Sequence, residues 1–102
     1  MRLGVDIVHV PRIKRLMSKF GHKFLDLLGT ESTDSRHVAG RWASGEALYK
    51  ALRPTCTLRG FLRQLSWQGR PPEAFLNGEP LKANVSISHD RDYAIAVVLI
   101  EE

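Results

Sequence analysis

The stretch NVSISHDRDYAIAVVLI (residues 84–100) carries the reading that decides the fold. Two runs rich in Val and Ile, Asn84 to Ile87 and Tyr93 to Ile100, flank the polar Ser88-His89-Asp90-Arg91-Asp92. β-Branched blocks of strand length on either side of a short polar break predict an antiparallel hairpin. Just upstream, GRPPEAFLNGEPL (residues 69–81) holds Asn77-Gly78, a pair that accepts positive φ and marks a tight turn, with Pro80 close behind. Leu58 to Trp67 is expected to be extended, at least in its later half.

Working back toward the N-terminus, Leu3 to Val10 is a short Val- and Ile-rich run that reads as a strand. Pro11 suits the first turn of a helix, where its missing N–H costs nothing. Beyond it Ile13, Leu16, Met17, Phe20, Phe24, Leu27 and Leu28 recur at helical spacing and form one apolar stripe, with Gly21 expected to break or weaken the helix. Arg12, Arg15, Lys19, His22 and Lys23 fall on a different face. Such a basic stripe is commonly a solvated surface, and it also suits an acidic partner helix. Residues 29–36 are polar and read as a connection. From about His37 to Leu52, Val38, Trp42, Tyr49 and Leu52 share one side of a second helix that ends before Pro54. The order β-α-α-β-β-β predicts an α+β fold, with helices packed on an antiparallel sheet, in a single domain over residues 1–102.

Two carboxylates sit where local folding rules ask for none. Asp6 interrupts the first strand in GVDIVHVPRI (residues 4–13), and Glu46 lies inside the second helix in GRWASGEALYKAL (residues 40–52). A divalent metal is the leading reason to keep both, because hard cations prefer oxygen ligands. Glu46 and Lys50 are four apart and share a helix face, a spacing that by itself is usually a surface ion pair worth a few tenths of a kcal/mol.

Composition bounds the remaining choices. A chain of 102 residues buries a modest share of its surface, so oligomerisation is a natural source of further stability. Fifteen Lys plus Arg against eleven Asp plus Glu leave +4, which favours phosphate-bearing ligands or acidic protein partners. The positive charge lies on one helix without an interleaved aromatic platform, which argues against a nucleic-acid partner. The single cysteine, Cys56, excludes an internal disulfide framework. No apolar run approaches the roughly 20 residues needed to span a bilayer, and no charged-then-apolar leader precedes the first strand, so a soluble chain without membrane attachment is expected.

Three blocks, GVDIVHVPRI, GRWASGEALYKAL, and NGEP followed by VSISHDRDYAIAVV, occur in the order and rough spacing of a known family. On them the chain resembles the holo-acyl-carrier-protein synthase type of 4′-phosphopantetheinyl transferase. The resemblance implies transfer of the phosphopantetheine arm of coenzyme A to a serine of apo acyl carrier protein, with release of adenosine 3′,5′-bisphosphate. It implies Mg²⁺ held by Asp6 and Glu46, with Glu46 also a candidate to take the serine proton, and Lys50 directed at the pyrophosphate. Arg41, Gly78, Pro80, Ser86, Ser88 and His89 are implied at the coenzyme A site. For Arg41 the bland reading is a solvated helix charge, for His89 an ordinary turn histidine, and for Gly78 and Pro80 plain turn chemistry. Arg12, Arg15, Lys19 and Lys23 would meet the acidic helix of the carrier protein, while Leu16 and Met17 are better placed as packing. A homotrimer with sites between subunits is implied, and a cytoplasmic location, or the mitochondrial matrix for a eukaryotic source, toward which His9 and Pro11 lean.

Two departures stand against the family pattern. Gly45 replaces a Lys usually found just before the metal-binding Glu, and a mid-helix Gly costs about 1 kcal/mol relative to Ala. The connection between the first helix and Glu46 is also shorter than the pattern. Both leave open a non-catalytic relative that binds carrier protein or coenzyme A without transfer.

Overall fold

The structure, a computed structural model, describes residues 1–101. Its elements run β1 (Arg2–His9), α1 (Val10–Phe20), α2 (His22–Leu28), α3 (Ser35–Leu52), α4 (Leu58–Gln64), β2 (Leu65–Gln68), β3 (Glu73–Leu76), β4 (Glu79–Pro80), β5 (Ala83–Asp90) and β6 (Tyr93–Ile100). β1, β6 and β5 pair antiparallel in that order, and β2, β3 and β4 form a second antiparallel sheet. The α+β expectation is met.

α3 is the axis of the molecule. It buries Val38, Ala39, Gly40, Trp42, Ala43, Ser44, Gly45, Ala47, Leu48 and Ala51, so side chains all round it are covered. A helix wrapped in this way needs small residues on its closest contacts, which explains why its apolar stripe is faint in the sequence. On one side lie β1 and β6, whose inward residues include Gly4, Val8, Ala94, Ala96 and Val98. A Cβ on Gly4 would run into the Ala47 carbonyl oxygen, so β1 lies directly on the α3 backbone. On the other side Ile13, Phe24, Leu28, Phe61 and Leu62 complete the core.

Gly21 does divide the first helical segment, with φ 56° between α1 and α2. α3 begins at Ser35, two residues before the expected start, because the Asp34 side chain accepts the Arg36 N–H at 3.0 Å and caps it. Asn77 and Gly78 both take positive φ in the turn between β3 and β4. Two expectations need correction. Leu58–Gln64 is helical, with Thr57 accepting the Gly60 N–H at 3.1 Å as its cap, and only the later half from Leu65 is extended. β5 continues through Ser88, His89 and Asp90, so its turn to β6 contains just Arg91 and Asp92.

Candidate active site

β1 and α3 bring the singled-out carboxylates to one place. Period-two alternation turns Asp6 inward with Gly4 and Val8, and Asp6 is 6 % exposed. Lys50 Nζ donates to Asp6 Oδ1 at 2.9 Å and to the Val5 carbonyl at 3.1 Å, so its ion pair is with Asp6 across the fold. Asp6 Oδ2 is buried and has no hydrogen-bond partner. Glu46, half-buried one turn before Lys50, is pushed up to about 7, first by burial and then by the Asp6 carboxylate beside it. Lys50 and Arg12 pull it down without cancelling those effects. A carboxyl poised near neutrality beside an unsatisfied carboxylate oxygen can exchange a proton or bind a cation. Among the described residues no group of three or more His, Cys, Asp or Glu could hold a metal.

Of the other expected site residues, Arg12 lies near enough to act on the Glu46 carboxyl. His89 faces α3, its Nε2 2.9 Å from the Arg36 carbonyl oxygen, and its ring sits where Gly40 leaves room. Ser86 and Ser88 alternate to the opposite, exposed face of β5, opposite Val97 and Ile95 of β6. Arg41 donates to the Leu28 and Gly29 carbonyls at 3.3 and 3.0 Å and lies 5.0 Å over the Trp67 ring, which ties it to the end of α2. Gly78 and Pro80 are exposed on the smaller sheet. Arg12, Arg15, Lys19 and Lys23 are all exposed, and Arg12 reaches within 5.8 Å of the Trp42 ring centre. Gly4 was not singled out as a site residue, although a glycine in a Val- and Ile-rich strand is a signal of close backbone approach.

The family model of the 4′-phosphopantetheinyl transferase superfamily matches residues 2–98. The chain belongs to that superfamily. It is 38% identical over 109 positions to the holo-[acyl-carrier-protein] synthase of Thermodesulfovibrio yellowstonii, covering 96% of each chain. That aligned span exceeds the 102 residues present here, so the relative carries residues that this chain lacks. Among solved structures, Helicobacter pylori holo-[acyl-carrier-protein] synthase in complex with coenzyme A superposes with a TM-score of 0.79, at 28% identity, over 97% of this chain and 99% of that one. The Bacillus anthracis enzyme in complex with coenzyme A (3′,5′-ADP) gives 0.71 at 25% identity, over 97% and 94%.

In this phosphopantetheinyl transferase the Gly45 departure has a packing cause. A Cβ there would stand 2.6 Å from Leu62 Cδ2, and Leu62 is itself buried between α4 and α3. Ala would gain about 1 kcal/mol of helix propensity. Overpacking against a buried side chain costs typically 1–3 kcal/mol. Gly45→Ala is therefore expected to lower unfolding stability by about 1 kcal/mol in the native background, yet to stabilise a Leu62→Ala protein. Urea denaturation of the four proteins measures this, and the same effect in both backgrounds would exclude the clash.

Proposed function

We propose that this chain moves the 4′-phosphopantetheine arm of coenzyme A onto a serine hydroxyl of an apo acyl carrier protein. The observation that carries this reading is the Asp6, Glu46 and Lys50 cluster in a chain that matches holo-[acyl-carrier-protein] synthases over nearly its whole length. The serine Oγ forms a bond to the phosphorus that bears the pantetheine arm, the bridging P–O bond breaks, and adenosine 3′,5′-bisphosphate leaves. Glu46 accepts the serine proton. Lys50 offsets negative charge on the leaving phosphate.

The residues present fit a divalent cation. Asp6 Oδ2 is a buried acceptor without a donor, and Glu46 resists ionisation because it is half-buried and another carboxylate adjoins it. Both features are relieved by a hard cation that takes few protein oxygens, so Asp6 and Glu46 would hold Mg²⁺. When bound, the ion supplies positive charge to the pyrophosphate. Chelation is expected to abolish transfer and added Mg²⁺ to restore it, with Mg²⁺ affinity rising as pH passes upward through about 7 and Glu46 loses its proton. Titrating activity against free Mg²⁺ below and above neutrality checks this, and chelator-resistant transfer would remove the cation from the account.

The functional unit is proposed to be a homotrimer. Leu3, Val5 and Ile7 are 67%, 53% and 59% exposed on the outer face of β1, and Val97 and Tyr93 extend the patch across β6 at 40% and 46%. An apolar sheet face of this kind marks an interaction surface. Association there also accounts for the opposed directions of His89 and of Ser86 and Ser88, since a ligand between two subunits can meet both faces of β5. Arg41, Gly78 and Pro80 complete the proposed coenzyme A surround, and Arg12, Arg15, Lys19 and Lys23 the carrier-protein surface, where complementary charge raises encounter rate. Val5→Asp is expected to give monomers with little transfer activity. Sedimentation analysis decides it: a monomeric wild type, or a Val5→Asp protein that remains trimeric, would contradict the assignment.

A further inference from the structure

The carrier-protein surface inferred from the sequence lies on the basic face of α1 and the start of α2, but the structure adds a second wall. A groove of ≈ 370 Å³ runs between α1–α2 and α4. Phe24, Trp42 and Leu62 contribute to its apolar lining, and Arg12, Lys23 and Arg59 supply exposed cations from both sides. No carboxylate among the described residues lines it. Trp42 lies one turn before Glu46 on α3, so one end of the groove adjoins the candidate catalytic carboxylates.

We propose that α4 is part of the carrier-protein dock: an acidic helix of the carrier, apolar on its inner face, lies in this groove with Arg59 meeting its carboxylates opposite Arg12 and Lys23. The inference rests on the proposed transferase reading. Charge complementarity selects the occupant, because a groove with an apolar floor and cations on both rims matches an amphipathic acidic helix. A helix seated there brings its neighbouring serine toward Glu46. α4 was unforeseen in the sequence, and so was this wall.

The test is steady-state transfer with Arg59→Glu and Arg59→Lys, varying apo carrier protein and coenzyme A separately. Arg59 is exposed, and an unchanged thermal unfolding curve establishes that the variants fold. Arg59→Glu is expected to raise KM for the carrier protein about tenfold or more, with kcat and the KM for coenzyme A retained. Arg59→Lys is expected to stay near wild type, and reversing one acidic helix residue of the carrier to Lys is expected to recover part of the loss. An unchanged carrier KM would overturn the proposal, and so would a rise in KM for coenzyme A, which would assign the groove to that substrate. Wild-type protein without transfer would instead overturn the underlying reading, so the two failures are separable.

Discussion

Glu46→Gln is expected to reduce phosphopantetheine transfer by about a hundredfold or more while leaving the fold intact, because removing a positioned general base typically costs 10²–10⁴ in rate. Gln keeps the shape of the side chain and loses the ability to take a proton or carry charge. The stability consequence runs the opposite way. Glu46 titrates near 7, above the ordinary carboxylate range, because burial and Asp6 disfavour its ionised form. A carboxyl raised in the folded state contributes stability that is fully present below its unfolded pKa and is lost as pH rises through about 7. Metal-free wild type should therefore lose stability across that interval, and Glu46→Gln, which resembles the protonated form, should lose less. Single-turnover transfer together with urea melts across pH separates the two effects. A variant that transfers at the wild-type rate would take Glu46 out of the chemistry, and parallel pH profiles would deny that its ionisation is unfavourable.

Gly4→Ala is expected to be the most damaging single methyl in the molecule, with a loss of about 3 kcal/mol or more. The added carbon would meet the Ala47 carbonyl oxygen, and also lie 3.1 Å from Ala51 Cβ. Backbone oxygen inside a hydrogen-bonded helix cannot rotate away as a side-chain end can, so β1 must lift from α3. Asp6 is two residues further along the same face, and its 2.9 Å contact with Lys50 depends on that approach. Any folded Gly4→Ala protein should therefore show weakened Mg²⁺ dependence as well as a lower unfolding midpoint. Near-native stability would mean that the strand does not sit on the helix as described.

These two sites also show what the sequence made legible. Asp6 and Glu46 stood out because each carboxylate breaks an otherwise regular pattern, and the blocks around them led to the superfamily that the family model confirms over residues 2–98. β1, the break at Gly21, the Asn77-Gly78 hairpin and the β5–β6 pair were readable because each has its own local signal in period, turn residue or β-branching. α4 was not readable in the same way. LRGFLRQ is seven residues long with a Gly inside, and its helix depends on Phe61 and Leu62 burying against α3 and on the Thr57 cap. The Lys50 partner was equally hidden. Spacing pointed to Glu46 four residues earlier, whereas the ammonium crosses to Asp6, 44 residues away in sequence. Gly45 shows the same limit: it reads as a lost cation in one dimension and as the seat of Leu62 in three.

The most direct test of the central claim is the mass of the carrier protein itself. Incubating the protein with apo acyl carrier protein, coenzyme A and Mg²⁺, beside a Glu46→Ala control, should add one phosphopantetheine to the carrier with the wild type and none with the control. An unmodified carrier protein, from a folded wild-type sample that binds coenzyme A, would contradict the account.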